Sequence, residues 1–149
     1  MHDKDGYIRE TVIVLESHID HLSGEEIGCA IGRLMESGAL DAIWLPGVMK
    51  KNRPGGAFRV VCRPEDEETV LAAFFRHTHT LGIRRQPVER VILPRGEGEA
   101  ECGGSRLRTK EYVLEGEEYA RVEHDELACL AKKRGTGVPA LRFQKKGRE

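Results

Sequence analysis

The sequence predicts an α+β fold, in which a core of β-α-β-β-α-β order is followed by a small C-terminal ββα unit. Three observations lead to this fold class. Short β-branched or apolar runs alternate with two segments of helical periodicity. A turn rich in Lys, Pro and Gly separates the two middle strands. A stretch rich in Gly and Glu then separates this core from the rest of the chain.

The first half of the core begins with a β-branched, apolar run over residues 11–15, which is typical of a buried strand. Ser23 and Glu26 have the spacing of a capping box and therefore predict the start of a helix. Gly38 is placed to end that helix. Between them, apolar residues at helical spacing form one face: Ile27, Ile31, Leu34 and Met35.

The second half of the core begins with two strands, over residues 42–45 and 58–62, which the turn at 50–56 joins as a hairpin. Pro64 suits the first position of a second helix, and the acidic residues after it suit the positive N-terminal end of that helix. A long strand over residues 83–93 completes the order. This order is the ferredoxin-like pattern, for which we expect a sheet in the order 4-1-3-2.

We expect three parts along the chain: a ferredoxin-like core over residues 8–95, a linker over 96–105, and a small αβ unit over 106–149. In the last part, polar and apolar residues alternate before the Glu115-Gly116 turn, and a return strand follows it. This pattern predicts a hairpin. Residues 125–133 predict the final helix, because Leu127 and Leu130 would share its buried face.

Charge and composition exclude several classes of function. The chain has 24 Lys and Arg against 25 Asp and Glu, so it lacks the basic excess typical of proteins that bind DNA or RNA. No apolar run approaches the roughly 20 residues of a membrane span. The four cysteines are far apart and form no CxxC pair, which suits a reducing compartment. We therefore expect a cytoplasmic protein that binds neither nucleic acid nor membrane.

Histidines and a carboxylate lie at the predicted ends of two strands. His18, Asp20 and His21 follow the first strand, whereas His79 and Arg84 lie just before or at the start of the fourth. Because the end of the first strand lies beside the start of the fourth in this topology, these side chains are candidate ligands for Ni²⁺, Mn²⁺ or Zn²⁺. Alternatively, the histidines are solvated loop residues and Asp20 is a turn residue beside the helix cap.

Lys50, Lys51, Asn52 and Arg53 form a compact positive turn. Several fixed cations and a bidentate guanidinium suit a triphosphate. Alternatively, the turn is a solvated hairpin tip whose lysines protect a sheet edge. Arg63 is either a further phosphate ligand or a surface cation before the second helix. We expect this turn at the opposite end of the sheet from Asp20, so that one site would need a neighbouring subunit or the C-terminal unit to bridge them.

Several motifs resemble those of the LarC family. The segment ESHIDHLS at residues 16–23 is similar to the motif that opens the LarC C-terminal domain, usually ETNIDDMT, and MKKNRPG at 49–55 resembles the most distinctive motif of that domain. Further similar segments occur in the same order, at residues 38–42, 63–66, 80–84 and 88–90. The resemblance is close over residues 11–95 and looser beyond them.

The resemblance implies a CTP-dependent nickel chelatase of the lyase class. LarC proteins insert nickel between two thiocarboxylates and a ring carbon of pyridinium-3,5-bisthiocarboxylic acid mononucleotide, and their C-terminal domain binds CTP with Mn²⁺ or Mg²⁺. It implies that Lys50, Lys51, Arg53 and Arg84 hold the CTP phosphates and that Asp20 positions the divalent ion. We also expect a homo-oligomer, and a separate N-terminal LarC-like chain as partner.

Two departures from the family pattern leave other functions open. His18 and His21 replace the usual Asn and Asp of the opening motif, and the larger N-terminal domain of the family is missing. Such changes alter a site that prefers hard oxygen ligands. The alternatives are a non-catalytic module that binds nucleotide or metal, and a structural subunit on a ferredoxin-like scaffold.

Overall fold

The computed structural model describes residues 6–102 and 104–142. The chain folds as two compact units. Of the described residues, the core unit comprises 9–91, and the C-terminal unit comprises 92–102 and 104–142 together with 6–8. The predicted α+β class is confirmed, since helices and antiparallel strands occur in both units. In the described residues, no helix has the length and apolar character needed to cross a membrane.

The core unit has the predicted β-α-β-β-α-β order. Its elements are β1 (Ile8–Ile19), α1 (Gly24–Glu36), β2 (Asp41–Met49), β3 (Arg53–Cys62), α2 (Glu67–Thr78) and β4 (Arg84–Ile92). The strands form one sheet in the order β2-β3-β1-β4, which is the predicted order. β3 runs antiparallel to both β1 and β2. We use "edge" for the side of the sheet that is formed by the ends of the strands. Because of these directions, β1 and β2 end at the same edge, and β3 begins there.

The capping box predicted for α1 is present. The Ser23 hydroxyl accepts a hydrogen bond from the Glu26 amide at 3.3 Å, and the Glu26 carboxylate accepts one from the Ser23 amide at 2.7 Å. Both groups would otherwise be unpaired at the helix start, so the cap fixes where the chain turns after β1. Met35, which we assign to the apolar face of α1, is 44% exposed and therefore lies at the margin of that face.

Both helices of the core unit pack on one face of the sheet. Leu15, Phe58 and Val60 of the sheet are fully buried against Leu34 of α1 and Phe74 of α2. The rings of Phe58 and Phe74 contact each other, with centroids 5.4 Å apart. Side chains alternate between the two faces of a strand, so the residues between these core positions lie on the opposite face of the sheet.

Two consecutive glycines allow β3 to lie close to its neighbours. A Cβ atom at Gly55 would lie 2.5 Å from the carbonyl oxygen of Ile19, and one at Gly56 would clash with the carbonyl oxygen of Leu45. Gly56 is buried and pairs with Ile19 on one side and Pro46 on the other. Any side chain at these positions would push apart the strand ends at this edge of the sheet.

The C-terminal unit contains one strand more than predicted. Its elements are β5 (Arg95–Cys102), β6 (Ser105–Leu114), β7 (Glu117–Val122), α3 (His124–Lys133) and α4 (Val138–Arg142). The strands form a second sheet in the order β5-β6-β7, and its core contains Leu107, Leu127 and Leu130. Residues 143–149 of the predicted αβ unit lie outside the described residues.

The predicted linker over residues 96–105 is wrong, because most of it is strand β5. The glycines suggested a flexible segment, but they alternate with glutamates, and alternation is also the pattern of a strand. Glu97 lies opposite Lys110 and Glu99 lies opposite Arg108 in the register with β6. These opposite charges across the two strands favour the pairing that the glycine content obscured.

We predict that Gly56→Ala lowers the free energy of unfolding by about 1–3 kcal/mol, the usual cost of inserting a methyl group into a filled space. The matched control is Gly32→Ala, because Gly32 lies within α1 and nothing lies within 4 Å of its added Cβ. The control should be neutral or stabilising by about 0.5–1 kcal/mol. Urea unfolding of both variants checks this, and a Gly56→Ala protein as stable as the wild type would contradict the packing account.

Candidate functional site

The predicted phosphate-binding turn and the predicted metal ligand Asp20 lie at the same edge of the sheet. Ile19, at the end of β1, pairs with Gly56 near the start of β3. Beyond this pair, the Arg53 guanidinium lies 3.3 Å from the Asp20 carboxylate. The positive turn and the acidic residue are therefore neighbours within one chain.

Our expectation that this turn and Asp20 lie at opposite ends of the sheet is wrong. The helix α1 returns the chain to the starting edge, so β2 runs in the same direction as β1, as in any strand–helix–strand crossover. The turn after β2 must then lie at the edge where β1 ends. No neighbouring subunit is needed to bring the two groups together.

The turn itself presents its cations to solvent. Lys50, Lys51, Asn52 and Arg53 are all exposed. Lys51 and Asn52 have φ values of 61° and 59°, in the left-handed region that is unfavourable for a lysine. Among the described residues neither Lys50 nor Lys51 has an ion-pair partner. The hairpin thus holds two unneutralised ammonium groups next to the Arg53–Asp20 pair.

Glu16 links three strands on the face of the sheet opposite the helices. Its carboxylate accepts hydrogen bonds from Arg59 of β3 at 2.7 and 2.9 Å and from Arg84 of β4 at 3.2 Å. The hydrogen bond from Arg59 holds the pKa of Glu16 below its usual value, against partial burial that raises it, and Arg84 lowers the pKa further. Glu16 therefore fixes Arg84 at the start of β4.

A cavity of about 520 Å³ opens at this edge of the sheet. It is lined by the following residues: Ser17, His18, Asp20, His21, His79, Thr80, Leu81, Gly82 and Arg84. Five of the predicted site residues share it: His18, Asp20, His21, His79 and Arg84. The sequence-based inference that the end of the first strand meets the start of the fourth agrees with this arrangement.

Hydrogen bonds hold the two sides of this cavity together. Ser17 Oγ donates to the carbonyl oxygen of Gly82 at 2.8 Å and lies 2.5 Å from Thr80 Oγ1. His21 Nε2 lies 2.8 Å from the carbonyl oxygen of Thr78. These contacts attach the loop before β4 to the end of β1. They also occupy the imidazole nitrogen of His21 that points toward this loop.

The four predicted metal ligands line one cavity, but they do not form a cage. In residues 6–102 and 104–142, no three His, Cys, Asp or Glu side chains are grouped to hold an ion. Asp20 contacts Arg53, and His18 Nε2 lies 3.9 Å from the Glu16 carboxylate. A single carboxylate does fit an Mg²⁺ or Mn²⁺ ion that takes its remaining ligands from phosphates and water.

Arg63 does not lie at this edge. It follows the end of β3, whereas Arg53 begins the same strand, so the full length of β3 separates them. Its guanidinium lies 3.7 Å from Asp66, three residues further along the chain. The reading of Arg63 as a surface cation before α2 therefore fits the structure, and its reading as a phosphate ligand of this site does not.

Comparison with models of known protein families identifies the family of this chain. A family model described as nickel insertion protein matches residues 1–142. The chain belongs to the nickel insertion protein family. The resemblance to the LarC family is therefore confirmed, and the match includes the C-terminal residues over which the motif resemblance is looser.

Relatives in this family are similar over most of this chain. A putative nickel insertion protein of Methanothermobacter thermautotrophicus is 41% identical over 135 residues, which cover 87% of this chain and 32% of that protein. A pyridinium-3,5-bisthiocarboxylic acid mononucleotide nickel insertion protein of Alkaliphilus metalliredigens is 33% identical over 124 residues, covering 83% and 30%. This chain thus spans about a third of the length of these nickel insertion proteins.

A solved structure shares the fold. LarC2, the C-terminal domain of a cyclometallase involved in the synthesis of the NPN cofactor of lactate racemase, aligns with a TM-score of 0.80 and 24% identity. The alignment covers 89% of this chain and 92% of that domain. The chain therefore shares the fold of that domain.

We predict that the stability provided by Glu16 depends on pH. The pKa of Glu16 is lower in the folded protein than in the unfolded chain, where it is about 4.3. The ionised carboxylate therefore stabilises the fold at pH values above the unfolded pKa. This stabilisation is lost as the pH falls through the folded pKa. Glu16→Gln should lower the free energy of unfolding at pH 7 by on the order of 1 kcal/mol. Unfolding curves from pH 7 to pH 3 should show wild type and variant converging in acid.

The control for this prediction is Glu68→Gln, since Glu68 is an exposed residue of α2 in the same unit. Its difference from the wild type should be much smaller at every pH. A difference for Glu16→Gln that stays constant from pH 7 to pH 3 would show that the Glu16 ion pairs do not stabilise the fold.

Proposed function

We propose that this chain binds CTP and its divalent ion during insertion of nickel into pyridinium-3,5-bisthiocarboxylic acid mononucleotide. The observation that supports this proposal is the contact between Asp20 and Arg53, because a carboxylate able to hold a divalent ion lies there beside the exposed cations of the turn. The name of the Alkaliphilus relative supports the nickel-insertion reaction. In this proposal CTP is a co-substrate, and nickel is a substrate metal.

In this proposal four cations hold the triphosphate. Lys50 and Lys51 approach from the hairpin turn, Arg53 from the start of β3, and Arg84 from the start of β4. Arg53 and Arg84 are both more than half exposed and paired with carboxylates, and such pairs contribute little stability. Their guanidinium groups can therefore turn to phosphate oxygens at small cost, and each offers the bidentate geometry that phosphates accept.

Asp20 is proposed to hold the Mn²⁺ or Mg²⁺ ion that accompanies CTP. When Arg53 turns to phosphate, the Asp20 carboxylate becomes free to bind a cation on the same phosphates. Asn52 presents its amide from the same turn. The ion would neutralise phosphate charge, and the protein would contribute one carboxylate to its ligands.

Two histidines of this site, His18 and His21, replace the usual Asn and Asp of the family motif. His18 and His79 line the cavity with Asp20, and imidazole nitrogens bind Ni²⁺ well. We propose that they contact the nickel substrate or the nucleotide-bound ion. His21 is instead proposed to support the loop before β4, because its Nε2 already contacts the Thr78 carbonyl oxygen.

The protein would act by binding and orienting its substrates. Fixed cations around the phosphates and a fixed carboxylate beside them position charged groups before reaction, which is the main source of catalysis in such sites. The match covers about a third of each relative's length. Completion of the activity by a separate N-terminal LarC-like chain is a further part of this proposal.

A second candidate is a module that binds nucleotide and metal without turnover. The observation that favours it is the opening motif, in which His18 and His21 replace the usual Asn and Asp and so alter a site that prefers hard oxygen ligands. Binding measured on this chain alone, combined with turnover measured after adding the N-terminal part of a relative, distinguishes the two functions.

We predict that the chain binds CTP in the presence of Mn²⁺ more tightly than ATP. Titration calorimetry should show CTP affinity falling at least about tenfold in a Lys51→Ala, Arg53→Ala double variant, since each lost charge-assisted hydrogen bond is worth about 1.5–3 kcal/mol. Arg63→Ala is the matched control and should bind as the wild type does, because Arg63 lies at the other end of β3. Absence of binding to either nucleotide would contradict the proposed function.

We also predict that the Asp20→Asn substitution removes the dependence of CTP binding on the divalent metal ion. In the wild type, Mn²⁺ should strengthen CTP binding, whereas the variant should bind CTP equally with and without Mn²⁺. Binding of CTP without metal should stay the same or improve, because the variant loses a negative charge near the phosphates. An unchanged Mn²⁺ effect in the variant would place the ion elsewhere.

A further inference from the structure

Strand β7 is the outermost strand on one side of the second sheet. The sheet has the order β5-β6-β7, and among the described residues only β6 pairs with β7. Residues 117–121 are all exposed. The backbone N–H and C=O groups on the outer side of β7 are therefore available to a further strand.

The turn between β6 and β7 determines which backbone groups point outward. Its two residues, Glu115 and Gly116, have φ values of 53° and 84°, as in a type I′ turn, which joins a hydrogen-bonded pair, here Leu114 and Glu117. Opposite residues of antiparallel strands alternate between hydrogen-bonded and non-hydrogen-bonded pairs. The odd-numbered residues of β7 therefore direct their backbone groups toward β6. The even-numbered residues direct theirs outward: Glu118, Ala120 and Val122.

The other outermost strands of the two sheets carry features that oppose pairing. β2 and β4 contain Pro46 and Pro87, which have no N–H to donate to a neighbouring strand. β5 has a glutamate at every second position from Glu97 to Glu101, so pairing with its own copy would place glutamate opposite glutamate. β7 has neither feature. Because such features usually prevent association through unpaired strands, their absence favours a β7 that pairs with another chain.

Arg121 of β7 has no counterion within its own chain. It lies opposite Lys110 of β6, which is an unfavourable pair of like charges, and the Lys110 Nζ lies 3.2 Å from a different carboxylate, that of Glu123. Glu117 accepts a hydrogen bond from the Tyr119 hydroxyl at 3.0 Å. Among the described residues, neither Arg121 nor Glu117 has an ion-pair partner. One face of β7 thus carries an unpaired cation and an unpaired carboxylate on either side of Tyr119.

We propose that β7 pairs antiparallel with β7 of a second copy of this chain, with Tyr119 opposite its own equivalent. In this register Glu117 of each chain lies opposite Arg121 of the other, so that two ion pairs form. The outward backbone groups of Glu118 and Ala120 exchange hydrogen bonds in both directions. The contact is closed by two-fold symmetry, and the two three-stranded sheets become one continuous sheet.

The tyrosine rings favour the same register. Tyr112 and Tyr119 are stacked, with centroids 5.5 Å apart and an interplanar angle of 14°, and Tyr119 is still 42% exposed. Side chains are closest in non-hydrogen-bonded pairs, and Tyr119 would form such a pair across the two-fold axis. A shift of two residues in one direction would place Glu117 opposite Glu123, and a shift in the other direction would move Arg121 beyond the strand, opposite the turn.

Reversal of the charges tests the ion pairs. In analytical ultracentrifugation of the full chain, the wild type should have twice the mass of the Arg121→Glu variant and of the Glu117→Arg variant, because each variant places like charges opposite each other. An equimolar mixture of the two variants should regain the wild-type mass, since opposite charges then face each other at both positions. Both residues are exposed, so neither substitution disturbs the core of the unit.

A proline on the outer side of β7 tests the backbone pairing. Ala120→Pro removes an N–H that points outward and leaves the hydrogen bonds between β6 and β7 intact, so it should also halve the mass. The matched control is Glu99→Pro, because the backbone of Glu99 faces the outer side of β5 by the same alternation. The control should keep the wild-type mass. Circular dichroism melting of each variant checks that it is folded.

Three outcomes would overturn the proposal. The first is an equal mass for the wild type and the charge variants at every concentration. The second is a mixture of the charge variants that stays at the lower mass, and the third is folded Ala120→Pro protein at the wild-type mass. The contact belongs to the C-terminal unit and the proposed CTP site to the core unit, so calorimetry with CTP tests the proposed function separately.

Discussion

The candidate phosphate site depends on the close approach of β3 to the strands on both sides of it. Gly55 and Gly56 leave no room for a Cβ atom against the carbonyl oxygens of Ile19 and Leu45. This approach sets the register in which Ile19 pairs with Gly56, and that register carries Arg53 to Asp20. The glycines thus position charged side chains that they do not themselves contact.

The electrostatics of this edge combine fixed geometry with exposed charge. Glu16 holds Arg59 and Arg84 from the middle of the sheet face, and Asp20 holds Arg53 at the edge. Such exposed pairs add little to the free energy of unfolding. Their value is in keeping guanidinium groups oriented while leaving them able to exchange a carboxylate for a phosphate. Lys50 and Lys51 add positive charge that no described residue neutralises.

The sequence predicts local features of this fold well. The capping box of α1 and the hairpin between β2 and β3 follow from short-range patterns, whereas the order of the strands in the sheet follows from the ferredoxin-like succession of elements. The structure contains each of them. Short-range patterns succeed here because they report the hydrogen bonds and the burial of neighbouring residues. They do not report the direction in which a distant strand returns.

Two predictions are wrong, the position of the β2–β3 turn and the linker over residues 96–105. In both cases, residues that are far apart along the chain are neighbours in the fold. The turn at Lys50–Asn52 and Asp20 are about thirty residues apart in the chain, and they meet only because the crossover helix α1 makes β2 run in the same direction as β1. The glycines of β5 suggested a linker because the opposite charges that pair with its glutamates lie on β6, further along the chain. Glu16 belongs to a motif that the sequence identifies, but its ion pairs do not follow from the sequence. They depend on Arg59 and Arg84, which lie far along the chain and are brought to both sides of Glu16 by the sheet.

We propose that CTP and its metal ion bind at the edge formed by the end of β1, the β2–β3 turn and the start of β4. Paramagnetic relaxation by Mn²⁺ tests this most directly, using NMR spectra of the ¹⁵N-labelled chain with CTP. Amide signals of residues 17–21, 50–53 and 79–84 should broaden and disappear first, while those near Arg63 and in the C-terminal unit remain. Broadening centred on Arg63 or on the C-terminal unit, with residues 17–21 unaffected, would contradict the account.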